Sequence, residues 1–202
     1  MKSFGQKAWM LPQPVLIIGT YDHEGNPNAM NAAWGCVADV NKVAIYMAKN
    51  HKTYENICNT QAFTVSMATA KYVKQADYVG VVSANDELHK FDNTGWHSMK
   101  SEYINAPIIE ELPLTLECKF ESFDEESELL IGEVVNVSVD ESILDENGKV
   151  DVYKLDPITY DTVNHTYITL GEKVGNAFRD GIVFKKCLTT KIEIVNDDSD
   201  IV

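Results

Sequence analysis

The 202-residue sequence predicts a mainly β fold, a small closed or split antiparallel barrel with a few helices. Two patterns lead there. Short runs in which apolar and polar residues alternate, bounded by turn residues, recur along most of the chain and mark strands with one wet and one dry face. Runs with helical periodicity are few and short, and a closed or split barrel is the architecture in which many short strands hide their edges.

The elements follow in order. Residues 14–21 are rich in branched side chains and read as a strand. Asp22-His23-Glu24-Gly25-Asn26-Pro27 supplies turn residues, and residues 28–37 return as a second strand, which makes a hairpin. Residues 43–47 form a third strand, and residues 53–59 a short helix behind a Thr cap. Phe63, Val65 and Met67 alternate with Thr64 and Ser66 in a fourth strand. Residues 71–82 suit a second helix, with Tyr72, Val73, Ala76 and Val79 on one side. Leu116, Cys118 and Phe120 then alternate with Glu117, Lys119 and Glu121. After an acidic turn over 124–128, Val135, Val137 and Val139 alternate with Asn136 and Ser138, so this is a long hairpin with one dry face. Residues 140–156, with Asn147-Gly148 inside, read as a loop or weak ribbon. The length suits one domain over 1–202, with a polar, frayed tail at 195–202.

Composition narrows the function. With 45% hydrophobic and 24% charged residues, the chain is an ordinary globule, not a disordered, collagen-like or coiled-coil protein. Its net charge of −14 disfavours nucleic acid and anionic membranes, both of which need a basic footprint. The excess is local. Residues 105–162 carry three Lys and sixteen acids, a balance of −13, whereas residues 1–60 carry five Lys and four acids, a balance of +1. The acidic stretch reads as a solvated face, or as a docking surface for a basic redox partner protein. No secretory signal and no apolar run of spanning length is visible, so a cytoplasmic protein is expected.

Cys36, Cys58, Cys118 and Cys187 form no C-x-x-C pair, and Cys118 falls on an apolar face as a small buried hydrophobe. The five histidines lack metal-ligand spacing, so no metal is expected. No glycine-rich dinucleotide fingerprint, phosphate-binding P-loop, nucleophile elbow or zinc-protease motif is present. An enzyme built on this chain would therefore rely on a bound cofactor.

Two segments could hold one. Asn28-Ala29-Met30-Asn31-Ala32-Ala33-Trp34-Gly35 combines small residues with Asn31 and Trp34. Small side chains let a flat ring approach backbone groups that read its polar edge, although they equally suit tight packing against a helix. Lys49-Asn50-His51-Lys52-Thr53-Tyr54 opens the first helix. Free helix N–H groups, a Thr hydroxyl and Lys ammoniums there suit a phosphate, unless Glu55 in the first turn answers the helix dipole alone. A ring platform and a phosphate site one strand apart suit a mononucleotide.

A longer pattern begins with Pro14-Val15-Leu16-Ile17-Ile18-Gly19-Thr20, the turn with Gly25 and Pro27, and Asn28 through Trp34. It continues in His51-Lys52-Thr53-Tyr54-Glu55-Asn56-Ile57, Ala76-Asp77-Tyr78-Val79-Gly80-Val81-Val82-Ser83 and Lys90-Phe91. Pro107-Ile108-Ile109-Glu110-Glu111, Leu116-Glu117-Cys118, Ile131-Gly132-Glu133-Val134 and Leu170-Gly171-Glu172-Lys173-Val174-Gly175 complete it. In these segments, across nearly the whole chain, the sequence resembles the flavin reductase-like, flavoredoxin-type family.

The resemblance implies an FMN-binding split β-barrel with Greek-key antiparallel connections, a homodimer, and flavin near the subunit interface. It places Met30, Asn31, Ala32, Ala33 and Trp34 along the isoalloxazine. Lys49, Asn50, His51, Lys52 and Thr53 surround the phosphate, with Ser83 and Tyr167 as wall residues. The implied activity is that of an FMN oxidoreductase taking electrons from NADH or NADPH, with no catalytic side chain because the flavin carries the hydride. The alternative is a flavoredoxin-like FMN electron carrier without nicotinamide turnover. Where many relatives carry Ser or Thr, this chain has Asn31, Ala32, Ala33 and bulky Trp34, which can stack on the ring or restrict nicotinamide access.

Overall fold

In the computed structural model, which describes residues 1–185, the chain enters the fold through β1 (Gln13–Pro14) and β2 (Leu16–Tyr21). Around β2, Leu16 and Ile18 face one apolar core while Val15 and Ile17 face another, which is why this stretch shows no polar alternation. After the turn at Gly25 come β3 (Pro27–Ala32), β4 (Gly35–Asp39), β5 (Lys42–Tyr46) and helix α1 (Lys52–Thr60). Strand β6 (Ala62–Met67) leads to a 3₁₀ turn at Ala70–Tyr72 and helix α2 (Val73–Val81). Then follow β7 (Ser98–Lys100), β8 (Pro107–Ile109) and the long pair β9 (Leu114–Asp124) and β10 (Leu129–Val139). A short helix α3 (Val152–Leu155) and the hairpin of β11 (Ile158–Asp161) and β12 (Thr166–Thr169) complete it.

The main sheet has seven strands, all paired antiparallel, in the order β3-β2-β6-β9-β10-β5-β4. Its end strands β3 and β4 are joined by Ala33 and Trp34 alone. A two-residue link spans only about 10 Å, so the sheet has to curl until its two ends nearly meet. That is the split barrel, and Trp34 stands at the split, its carbonyl accepting from the Tyr46 N–H at 2.9 Å.

This corrects the expectation of one strand over 28–37. The chain changes partners at 33–34: Ala32 pairs with Leu16 on β2, whereas Gly35 pairs with Ile45 on β5. Gly35 permits the crossing, because a Cβ there would lie 2.8 Å from Leu16 Cδ1 and 3.0 Å from the Ala44 carbonyl oxygen.

Two cores result. The barrel interior is built from Ile18, Ile45, Phe63, Cys118 and Leu130 with their neighbours, and Phe63 fills the space that a Cβ on Gly132 would need. The second core joins the outer face of β2 and β3 to α2 through Ile17, Ala29, Ala76, Val79 and Ile158, with Tyr72 and Val73 packed against it as the helical pattern predicts. Cys118 is buried as expected, and burial, with Glu117 beside it, pushes its thiol up to about 12.

The wet face expected on the long hairpin is wet only in part. Glu117 is fully buried, its carboxylate accepting from the Ser101 hydroxyl, from Asn136 Nδ2 at 2.7 Å and from the Ser138 hydroxyl at 2.6 Å. The loop after β7, which carries Ser101, covers it. The 140–156 stretch contains a 3₁₀ turn at Glu141–Ile143, a bridge from Leu144 to Val150 around Asn147-Gly148, and α3 capped by the Asp151 carboxylate.

These elements form one unit, Met1–Leu170; a second unit begins at Gly171. The described part of the second unit has a turn in which Asp180 Oδ2 accepts from the Asn176 N–H at 2.7 Å, followed by a helical turn at 182–185. The tail expected to fray, 195–202, lies outside the described residues. Among those described, no helix is long and apolar enough to cross a membrane.

Candidate functional site

A cleft of about 150 Å³ opens where β3, the start of α1 and the end of α2 converge. Six of the residues singled out in the sequence meet in it: Met30 and Asn31 from β3, His51, Lys52 and Thr53 from the start of α1, and Ser83 from the segment after α2. The start of α1 is open, because its N-cap residue His51 has an extended backbone and no capping side chain. The Tyr54 N–H donates to the His51 carbonyl at 3.0 Å, which leaves the Lys52 and Thr53 N–H groups and the positive dipole end at the cleft with no protein oxygen over them among the described residues.

Three polar side chains surround that helix end. Thr53 is buried, and its Oγ1 accepts from Asn28 Nδ2 at 3.0 Å, so its own O–H is left to donate into the cleft. Asn28, only 6% exposed, leaves its Oδ1 without a partner. Lys90 is 4% exposed, has no carboxylate partner among the described residues, and is brought down to about 8 by burial. A buried ammonium that shares its cleft with a helix N-terminus and a hydroxyl has no counter-charge among the described residues, and such a donor set suits an anion.

Lys52 contributes less than its sequence position implies. Its ammonium lies 2.6 Å from Glu55 Oε1, so the acid in the first turn takes up part of the charge.

Asn31 is held from three sides. Its Nδ2 donates to the Ala76 carbonyl at 2.9 Å, it hydrogen-bonds the Tyr167 phenol, and Gly80 lies so close that a Cβ there would sit 3.1 Å from Asn31 Cβ. Tyr167 donates in turn to Asp77 Oδ1 at 2.9 Å. Burial first, and then the Asp77 carboxylate, pushes that phenol up to about 12, so it stays protonated.

The other singled-out residues lie elsewhere. Ala32 is buried in the barrel core and Ala33 is half-buried at the link. Trp34, 65% exposed, turns into a separate apolar groove. Lys49 pairs with Glu125 at 3.0 Å, outside the cleft. The Asn50 carbonyl accepts from Asn85 Nδ2 at 3.2 Å and ties the α1 loop to the segment after Ser83. Tyr167 packs against α2 behind Asn31 rather than on the cleft wall.

Sequence reasoning missed Lys90 and Gly80 as site residues, and took Asn28 only as the head of its segment, not as a residue of the site. Lys90 sits among Glu87, His89 and Asp92, and nothing in that polar run marks it as the buried one. Asn28 had a signal, a polar residue heading a strand of small ones.

A family model for the flavin reductase like domain matches residues 9–164. The flavoredoxin of Desulfovibrio vulgaris (Miyazaki F) is 35% identical in sequence, with a TM-score of 0.85, over 90% of this chain and 99% of that one. A flavoredoxin from Methanosarcina acetivorans is 26% identical, with a TM-score of 0.81, over 91% and 99%. An FMN-binding domain of a flavin reductases-like enzyme from Shewanella baltica OS155 shares the fold, at 22% identity and a TM-score of 0.72, over 81% and 89%. A curled antiparallel sheet split at Trp34 and a domain match over three quarters of the sequence carry the same conclusion: this chain belongs to the flavin reductase-like domain family of split barrels.

Proposed function

We propose that the protein binds FMN, with the phosphate in the cleft and the isoalloxazine running along Asn31 to Trp34 toward the split of the barrel. The observation that carries this reading is Lys90, a buried ammonium with no counter-charge among the described residues, which shares its cleft with an uncapped helix start. At about 150 Å³, the cleft suits the phosphate and the adjoining ribityl carbons rather than the whole flavin. Thr53 and Asn28 together add one donor: the Thr53 O–H as the amide stands, or Asn28 Nδ2 after an amide flip in which Thr53 donates to Asn28 Oδ1 instead.

Bound FMN supplies hydride chemistry at its ring. The chain's own residues bind and orient. Lys90 and the α1 start hold the phosphate, while the Ala76 carbonyl and Tyr167 fix the Asn31 amide where it can meet the polar edge of the ring. None of these side chains needs to give or take a proton.

The activity we infer is that of an FMN oxidoreductase accepting electrons from NADH or NADPH. The 35% identity to a flavoredoxin supports a second reading, an FMN electron carrier without nicotinamide turnover. Anaerobic stopped-flow mixing of the FMN-loaded protein with NADH and with NADPH separates the two. Rapid bleaching by either nicotinamide supports the oxidoreductase. No bleaching by both, with reduction by a protein donor, supports the carrier.

A homodimer fits the exposed edge strand β4, which ends the sheet order and leaves Val37, and Val40 in the turn after it, in solvent. The acidic 105–162 segment suits docking of a basic redox partner, and a flat salt dependence of electron transfer to that partner would contradict it.

A further inference from the structure

A second cleft, of about 380 Å³, shares no lining residue with the phosphate cleft. Three segments build it: the link from β6 to α2, the turn after β8, and the 3₁₀ turn and α3 of the 140–156 stretch. Backbone bonds tie these segments together. The Ala70 N–H donates to the Asp156 carbonyl at 3.0 Å, the Asp140 N–H donates to the Pro113 carbonyl at 2.9 Å, and Thr69 bridges to Pro157. The cleft is therefore a formed feature of the fold.

Its rim carries both signs of charge, Lys71 and Lys154 against Glu110, Glu111, Asp140 and Asp156. Opposite charges on one small rim ordinarily pair with each other. Here no Lys–carboxylate ion pair forms among the described residues, although Lys42, Lys49 and Lys52 each make one elsewhere. Local contacts hold the charges apart. The Lys154 ammonium donates to the Leu144 carbonyl at 2.6 Å, and that of Lys71 lies 4.8 Å from the centre of the Tyr72 ring. Both partners are neutral, so each lysine keeps its charge. Asp140 Oδ1 accepts from the Ser142 N–H at 2.7 Å, and Glu111 Oε1 lies 2.7 Å from His97 Nδ1. The Glu110 and Asp156 carboxylates have no hydrogen bond or ion pair among the described residues. A guest of one sign is attracted by one set of these groups and repelled by the other. A guest with both signs is attracted by both.

The floor gives a second, independent sign of a guest. Ile143 and Leu155, 3% and 6% exposed, offer an apolar patch. Thr69, 4% exposed, faces the same cleft with a hydroxyl that has no hydrogen-bond partner among the described residues. A buried hydroxyl left without a partner is unfavourable, and a guest's polar end relieves it.

We propose that this cleft binds a small zwitterion of the α-amino acid class with an apolar side chain. Its carboxylate meets Thr69 and Lys71, its ammonium meets Glu110 and Asp156, and its side chain packs on Ile143 and Leu155. The proposal stands apart from the FMN reading, with which it has no residue in common.

The test is a titration of the purified full chain with L-leucine, followed by backbone amide chemical shifts. Two analogues isolate the poles: 3-methylbutylamine lacks the carboxylate, and 4-methylpentanoate lacks the ammonium. Leucine should saturate at one per chain, with shifts centred on 69–72, 110–113 and 154–156. Each analogue should bind at least about fivefold more weakly, the effect of losing one solvent-exposed ion pair with its hydrogen bonds. Thr69→Val removes a hydroxyl that bonds to nothing in the free protein; it should weaken leucine and 4-methylpentanoate and leave the amine unchanged. Asp156→Asn, at φ 48° where asparagine is tolerated, should weaken leucine and the amine and leave 4-methylpentanoate unchanged. If either variant loses its folded spectrum, Lys71→Met and Glu110→Gln, both at exposed positions, test the same two poles. Shifts that do not saturate with leucine overturn the proposal. Equal affinity of the amine overturns it by making the cleft a cation site, and equal affinity of 4-methylpentanoate by making it an anion site. Leucine shifts centred on the cleft between β3, α1 and α2 overturn it too.

Discussion

The affinity for FMN should fall as pH rises above about 8, and Lys90 sets both the direction and the size. Its ammonium is held at about 8 instead of 10.5 because it is buried without a counter-charge. A phosphate dianion in the cleft supplies one and returns the group toward 10.5. The difference of about 2.5 corresponds to about 3.4 kcal/mol, an upper limit on the coupling between phosphate and proton. At pH 7 Lys90 is about nine-tenths charged in the free protein and the full attraction is available. At pH 9 only about one-tenth is charged, so binding takes up a proton and the affinity drops by about tenfold. Fluorescence-quench titration of FMN between pH 7 and 9 measures this, a window above the second phosphate ionisation near 6. Riboflavin, which lacks the phosphate, is the control and should show a flat profile.

The same group makes a second effect of opposite sign. Its folded-state value lies below the unfolded one, so the unfolded chain binds more protons between about pH 8 and 10.5, and stability contributed by Lys90 rises with pH across that window. Below pH 8 the flavin-free protein carries the full cost of the buried charge. Lys90→Met should therefore stabilise the flavin-free protein by about 1 to 3 kcal/mol at pH 7 while weakening FMN at least tenfold. A flat FMN profile from pH 7 to 9, or a riboflavin profile parallel to it, would refute the reasoning.

Further outcomes follow from other contacts. Lys52→Ala should weaken FMN by only about 1 kcal/mol, about fivefold, because Glu55 already takes up part of its charge, and Glu55→Gln should strengthen FMN by up to a similar factor; parallel titrations check both. Gly132→Ala pushes a methyl into the Phe63 ring and should lower stability in urea by about 1 to 3 kcal/mol; a loss below about 0.5 kcal/mol would show that the ring moves freely. Glu117→Gln should cost about 2 to 3 kcal/mol, read from the same denaturation curves. Ser101 already accepts from the Tyr103 and Ile104 N–H groups and must donate to residue 117, so a glutamine NH₂ faces donors in either orientation.

Alternation and turn residues made most of the barrel legible, since period-2 patterns survive wherever one face is wet: Phe63 to Met67 and the long hairpin lie where the pattern puts them. The break at Ala33-Trp34 was not legible, because small residues continue a strand as readily as they end one. What ends β3 is the closure of the sheet, a property of seven strands together. Glu117 misled for a related reason: alternation reports which face a residue occupies, not whether a later loop covers that face. In the candidate site, the start of α1 was visible through His51, Lys52 and Thr53, since helix starts have local signatures. Lys90 was not, because the burial of a charged residue is decided by tertiary packing around it.

The central claim, that the cleft between β3, α1 and α2 holds the phosphate of FMN, is tested most directly by titrating FMN and riboflavin into the flavin-free protein at pH 7. The account predicts saturation at one FMN per chain and riboflavin binding at least about tenfold weaker, the effect of losing charge-assisted hydrogen bonds. Equal affinity for the two, or no saturable binding of either, would contradict it.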